Sequence, residues 1–246
     1  MKSNKTVIIT GASSGIGLAI AAAYLERGYN VVGNARTRER LEAAAKSLGK
    51  PANFLLVPGD IALPATASAL FRETIAAFGK VDILINNAGI FIAKPAAEYS
   101  PADVDAIVAT NLMGFFYPSQ QAAAHMAANK AGHIVTITAS IAMQPHAKLP
   151  ALLPVLIKGG LNHATRALAL ELAASNVQVN AVAPGIIDTP LLPADAGSRT
   201  FLATLSPSGA IGTTQDIVDA VLYLTDSRYT SGTVLTVDGG ATAGTW

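Results

Sequence analysis

Cysteine is absent from the sequence, so no disulfide, thiolate-bound zinc or cysteine nucleophile can enter its chemistry. Charge is scarce as well: Asp, Glu, Lys and Arg make up 13% of the residues, roughly half the share of an average soluble domain. With 51% hydrophobic residues the chain can bury a large core, which argues against disorder. The 17 basic and 16 acidic residues nearly cancel. No electrostatic footprint for nucleic acid or an anionic membrane is left, and neither partner is expected. Long apolar runs are missing too. The richest, Leu149 to Ile157, holds two prolines and falls far short of the roughly 20 apolar residues of a membrane-spanning helix. Met1 to Thr6 carry neither the apolar region nor the cleavage site of a signal peptide, so a cytoplasmic location is expected. No metal site is expected.

Glycine and proline, by contrast, are plentiful and punctuate the chain. Between them, short β-branched runs alternate with longer alanine-rich stretches of helical period, the pattern of βα units that feed a parallel sheet covered on both faces. Strands are expected near Lys5–Thr10, Asn30–Ala35, Asn53–Pro58, Val81–Asn86, Gly132–Thr138, Val177–Val182 and Thr233–Val237. Helices are expected near Gly15–Arg27, Arg38–Leu48, Ala65–Phe78, Pro101–Ala128, Pro154–Ser175 and Thr214–Leu224. No linker, charge block or repeat divides them. The fold class is α/β: one doubly wound Rossmann domain over residues 1–246, with a seven-stranded parallel sheet. Ligands of such sheets sit beyond the carboxyl ends of the strands. The long irregular stretch from Pro184 to about Ser208 then becomes the natural lid over a small-molecule substrate.

After the first strand comes Thr10-Gly11-Ala12-Ser13-Ser14-Gly15-Ile16-Gly17, opening into a helix. Glycines at a strand-to-helix turn let backbone approach a pyrophosphate whose charge meets unpaired N–H groups and the helix dipole. Further on stand Asp60-Ile61, Asn86-Asn87-Ala88-Gly89, Asn111 in Asn-Leu-Met-Gly, Pro184-Gly185-Ile186-Ile187-Asp188-Thr189-Pro190, and Val237-Asp238-Gly239-Gly240. In order and spacing these motifs resemble the short-chain dehydrogenase/reductase family over nearly the whole chain. The resemblance implies an oxidoreductase with a nicotinamide cofactor held by Gly11, Ser13, Ser14, Gly15, Ile16, Gly17, Asp60, Ile61, Asn87, Ala88, Gly89, Pro184, Gly185, Ile187 and Thr189. It also implies a homo-oligomer, a tetramer or a dimer. Asp60 has a second reading, as the cap of the turn that follows its strand.

The choice between the two nicotinamide cofactors has an electrostatic basis. The second strand ends Gly33-Asn34-Ala35-Arg36. Where NAD-binding enzymes place a carboxylate for the ribose hydroxyls, Ala35 leaves no repulsion for a 2′-phosphate, and Arg36 can pair with one. NADP(H) is the expected cofactor.

By the same resemblance, hydride transfer falls to Asn111, to Ser140 after the fifth strand, to a tyrosine that exchanges the proton, and to Lys158, which also holds the nicotinamide ribose. The position four residues before Lys158, where the family has its tyrosine, is Pro154, and no tyrosine occurs between Tyr117 and Tyr223. A positioned proton donor is worth about 10²- to 10⁴-fold in rate, and proline has no titratable group. His146, in the loop beyond Ser140, is one substitute, since an imidazole ordinarily titrates near neutrality. Asp188, or Ser140 with an activated water, are others. Pro154 is tolerated at a first helical position, so the active-site helix is expected to begin there. Leu149, Leu152, Leu153, Val155, Leu156 and Ile157 are expected to make a pocket wall or a subunit contact. Two functions follow. One is an NADP(H)-dependent oxidoreductase with altered proton chemistry, suited to imines or iminium ions; the Pro154–Lys158 pair is locally similar to fungal indole-alkaloid reductases of the family. The other is an NADP-binding sensor or scaffold without turnover.

Overall fold

The computed structural model describes residues 4–244; Met1–Ser3 and Thr245–Trp246, the ends of the expected domain and part of the segment read for a leader, lie outside them. Seven strands, β1 Thr6–Thr10, β2 Asn30–Ala35, β3 Phe54–Pro58, β4 Ile83–Asn86, β5 Gly132–Ile137, β6 Val177–Pro184 and β7 Val234–Val237, form one parallel sheet in the order β3-β2-β1-β4-β5-β6-β7. The order reverses between β1 and β4, which opens a crevice at the carboxyl ends of those two strands. Around the sheet lie α1 Gly15–Glu26, α2 Arg38–Ser47, α3 Pro64–Phe78, α4 Pro101–Ile107, α5 Gly114–Asn129, α6 Leu152–Leu172, α7 Ala196–Ala203 and α8 Thr214–Asp226.

The pleat sorts the apolar residues of each strand between two cores. On β1, Val7 and Ile9 face a core closed by Ile20 and Tyr24 of α1 and Ile217, Val221 and Leu224 of α8. Ile8 faces the opposite core, closed by Leu70 and Phe71 of α3, Ala122 and Met126 of α5, and Ala169 and Leu172 of α6. Because both faces are dry, central strands read as unbroken apolar runs. Helix ends follow local chemistry: Ser100 and Asp103 form a capping box at α4, and Thr213 and Asp216 another at α8. Among the described residues no helix is long and apolar enough to cross a membrane.

Three expectations need correction. The helix expected over Pro101–Ala128 is two helices joined by a π-type segment, Val108–Met113, with Pro118 inside α5 unable to donate to the preceding turn. The stretch from Pro184 to Ser208 is not irregular throughout, because Asp195 caps the N-terminus of α7 by accepting from Ser198 N at 2.7 Å. Helix α6 begins at Leu152, two residues before Pro154. Proline is still harmless there, since the first four N–H groups of a helix have no intrahelical acceptor. The first bond of the helical ladder is the next one, Val155 N to Ala151 O at 2.9 Å.

Candidate active site

The loop after β1 is braced before any ligand arrives. Asn87 donates through Nδ2 to Thr10 O (2.9 Å) and Gly11 O (3.2 Å), while the Thr10 hydroxyl accepts from Asn87 N and Ala88 N, both at 3.0 Å. Gly11 has φ +68°, in the left-handed region that favours glycine, and a Cβ on it would lie 2.9 Å from Asn87 Nδ2. At Gly17 a Cβ would stand 2.3 Å from Gly11 O, so only glycine lets α1 pack this closely on the loop. Thr189, from the segment after β6, reaches over Gly15, whose Cβ would meet the threonine Cβ at 3.3 Å.

The first turn of α1 has no acidic residue, and its N-cap Ser14 makes no side-chain cap bond. Its N–H groups therefore stay available to an anion between the glycine loop and Thr189. This cradle fits the pyrophosphate of a dinucleotide. At the β2 end, Ala35 is buried, while Arg36 is exposed and has no hydrogen bond or ion pair among the described residues. Asn34, unremarked in the sequence, is buried and donates to Val57 O and Gly59 O at 3.0 and 3.1 Å, tying β2 to the β3 exit. Asp60 accepts from Ala62 N at 3.0 Å, so the capping role is realised, and Ile61 is buried beside Gly114. Pro184 ends β6; Gly185 lies against Asp238, and Ile187 is buried and bridged to Gly212.

On the reaction side, Asn111 sits within the π-type segment with its amide spent on one residue: Oδ1 accepts from Ile90 N at 2.8 Å and Nδ2 donates to Ile90 O at 2.9 Å. It clamps the loop after β4 to the junction of α4 and α5. Ser140 is buried at the start of a 3₁₀ turn, Ser140–Ala142, and its hydroxyl has no protein partner among the described residues. Lys158 is 8% exposed and donates from Nζ to Ile137 O at 2.7 Å. Burial lowers its pKa from 10.5 to about 8. A Cβ built on Gly89 would lie 3.3 Å from Asn111 Oδ1 and 3.4 Å from Lys158 Nζ, so these two polar atoms converge where the backbone carries no side chain.

Pro154 is buried one helical turn before Lys158. The apolar residues around it divide: Leu152 and Leu156 are 60% and 65% exposed, while Leu149, Leu153, Val155 and Ile157 are half-buried. His146 is half-buried, with Nδ1 accepting from Lys148 N at 3.2 Å. Asp188 is engaged in an ion pair. Its Oδ2 pairs with Arg199 at 2.8 Å, and the guanidinium holds the carboxyl below its usual range. The partner, on α7, went unnoticed in the sequence.

A model of short chain dehydrogenases matches residues 5–197. The chain belongs to this family. It is 36% identical over 243 residues to the (2S)-[(R)-hydroxy(phenyl)methyl]succinyl-CoA dehydrogenase subunit BbsD of Thauera aromatica, covering 96% of each chain. To 3beta-hydroxysteroid dehydrogenase 1 of Eggerthella lenta it is 35% identical, over 97% of this chain and 94% of that one. Among solved structures, ElxO with NADP bound is 27% identical with a TM-score of 0.91, over 98% of this chain and all of that one. The 3-ketoacyl-(acyl-carrier-protein) reductase of Brucella melitensis complexed with NADH is 31% identical with a TM-score of 0.87, over 97% and 98%. Three of these four are named as dehydrogenases or a reductase, and the two solved structures carry pyridine nucleotides of both kinds.

Proposed function

We propose that this short-chain dehydrogenase is an NADP(H)-dependent oxidoreductase that transfers hydride to or from a small carbonyl, imine or alcohol, with proton chemistry altered at Pro154. The observation that carries the cofactor choice is the exposed, unpaired Arg36 beside the neutral Ala35. A guanidinium with no internal partner offers a 2′-phosphate charge and two parallel donors. In this reading Gly11, Ser13 to Gly17 and Thr189 hold the pyrophosphate, Ile61 borders the adenine, and Lys158 holds the nicotinamide ribose. Bound nicotinamide supplies the hydride. Ser140, buried with its hydroxyl unspent, orients the substrate's polar atom. Asn111 keeps the loop carrying Gly89 in place, and so acts on the site through Ile90.

Pro154 stands where the family has its tyrosine, so carbonyl reduction lacks a phenol to complete it. An imine that is already protonated needs no donor in the same step, which favours cationic substrates over ketones. The chain is further proposed to be a homo-oligomer, because α6 turns Leu152 and Leu156 outward and α5 exposes Phe116, large apolar side chains that a second copy would cover.

Fluorescence titration tests the cofactor choice. Arg36→Ala is expected to weaken NADPH about tenfold or more and to leave NADH within about twofold, since a surface phosphate–guanidinium contact is worth ~1.5–3 kcal/mol. Equal losses for both cofactors refute it. If NADPH binds but is not oxidised with any ketone, quinone or cyclic imine, the enzyme reading yields to a binding protein.

A further inference from the structure

We propose that Gln144 is a positioning residue for the reduction: its side chain ties the turn carrying Ser140 to a C-terminal strap, residues 238–244, that also holds the segment after β6. The tie fixes where the substrate-orienting hydroxyl stands. The inference rests on the reading of the chain as an NADPH-dependent reductase with Ser140 against the substrate. It starts from Val237-Asp238-Gly239-Gly240, a motif to which neither the cofactor cradle nor the hydride-transfer residues give a role.

Asp238 builds the strap. Its Oδ1 accepts from Gly240 N at 3.0 Å, and its Oδ2 accepts from Thr242 N at 3.0 Å and from the Thr242 hydroxyl at 2.7 Å. Two backbone bonds, Ala241 N to Asp238 O at 3.3 Å and Ala243 N to Gly240 O at 3.0 Å, complete a pair of successive turns. Gly239 and Gly240, with φ +61° and +90°, supply the left-handed backbone on which they depend.

Three elements beyond the carboxyl ends of the strands meet this strap. At the exit of β6, Gly185 N donates to Val237 O at 2.9 Å, and a Cβ on Gly185 would lie 2.8 Å from Asp238 Cα. Past α7, the Ser206 hydroxyl donates to Gly239 O at 3.0 Å and Ser208 N donates to the same carbonyl at 3.2 Å. A Cβ on Gly239 would stand 2.3 Å from Ser206 Oγ, so this contact needs glycine. After β5, Gln144 Nε2 donates to Gly244 O at 2.7 Å, across 100 residues of sequence.

Gln144 also reaches the serine itself. Its backbone N–H donates to Ser140 O at 3.1 Å, beside Met143 N at 2.8 Å. The Ser140 hydroxyl has no protein partner among the described residues, so the backbone of the turn alone aims it. One residue thus joins the carbonyl of Ser140 to a strap that grips both ends of the segment carrying α7. Gln144 is half-buried and Gly244 exposed, so the bond between them adds little to overall stability. A reacting group displaced by about 1 Å, by contrast, loses on the order of 10²-fold in rate. Catalysis should feel the loss of this bond before folding does.

Two measurements test this. Amide hydrogen exchange is followed by mass spectrometry in the cofactor-free native protein, in Gln144→Met, which keeps length but not the donor, and in a chain ended after Ala243, which lacks the accepting carbonyl. The peptide spanning residues 141–146 should exchange about three- to tenfold faster in both variants; an unchanged rate in both overturns the proposal without touching the proposed function. In parallel, NADPH oxidation with cyclohexanone, menadione and 2-methyl-1-pyrroline is recorded at saturating NADPH. With whichever probe is reduced, Gln144→Met should lower kcat about 10- to 100-fold while the NADPH dissociation constant stays within about twofold. Combining it with the shortened chain should add no further loss, since both changes cut the same bond, and Gln144→Lys, which restores a donor, should recover most of the rate. Losses that multiply in the combined variant, or an unchanged kcat in Gln144→Met, overturn the proposal. Failure of the native protein to oxidise NADPH with any probe removes the proposed function and this inference together.

Discussion

The glycine loop after β1 and the first turn of α6 lie at the same edge of the sheet, and both start a helix without a side-chain cap. They handle the exposed N–H groups in opposite ways. At α1 the donors are kept and the backbone around them is fixed by Thr10 and Asn87, so that an anion finds a finished site. At α6 the third position is proline, which removes a donor, and the buried surface that follows presents one ammonium with few partners. Preorganisation lowers the entropy cost of binding at the first region. The second keeps a charge in the interior with a single carbonyl acceptor, which costs stability. The two helix starts therefore differ in cause: a braced backbone at one, a buried cation after a missing donor at the other.

The largest expected effect breaks the first region. Gly17→Val puts a branched side chain where a Cβ alone would be 2.3 Å from Gly11 O. The loop and α1 must part, and NADPH affinity should drop at least about 100-fold, as overpacking at ~1–3 kcal/mol adds to the lost cradle. Binding within tenfold of the native protein, by fluorescence titration, would refute the packing argument.

The second region is sharpened by Lys158→Met, studied by urea unfolding of the cofactor-free protein. Folded Lys158 holds its proton to about pH 8, whereas unfolded it does so to 10.5. Between those values the unfolded chain binds more protons, so stability rises with pH across the window and the burial penalty is complete below it. That penalty is of order 3 kcal/mol. The variant should be more stable than the native protein at pH 7, and the advantage should vanish toward pH 10. A constant difference across pH would mean the lysine is not strained by burial.

The smallest effect compares two serines. Ser100 closes a capping box, so Ser100→Ala should cost ~1 kcal/mol in thermal unfolding. Ser14 makes no such bond. Ser14→Ala should leave the cofactor-free protein unchanged within about 0.5 kcal/mol and weaken NADPH alone. A matching loss of stability in both variants would erase the distinction between a capped helix and one kept open for a ligand.

Strands such as Thr6–Thr10 were legible because burial on both faces demands apolar, β-branched residues in unbroken runs, and the glycines after β1 because the turn admits little else. What escaped depends on partners distant in sequence. Helix α7 is short, contains Gly197, and is anchored by Asp188 acting on Arg199 from the preceding loop. The break between α4 and α5 combines a local cause, Pro118, with a distant one, Asn111 holding Ile90 twenty-one residues away. The Thr10 hydroxyl, which gathers two N–H groups from the loop after β4, lies in a strand whose pattern gives no sign of it. Pro154 itself was visible, but not the start of α6 at Leu152, because proline fits any of the first-turn positions.

The bridge between Ile187 and Gly212 has a consequence for motion. Gly212 accepts from Asp188 N at 2.8 Å and donates to Ile186 O at 2.9 Å, so the segment carrying α7 is pinched shut at its base. A loop whose ends are already tied has lost most of the configurational freedom that closing it would otherwise consume. Its interior is held by separate contacts, the Asp188–Arg199 pair and the cap on α7. Base and interior are thus fastened independently, by the bridge to Gly212 at one and by an ion pair and a helix cap in the other.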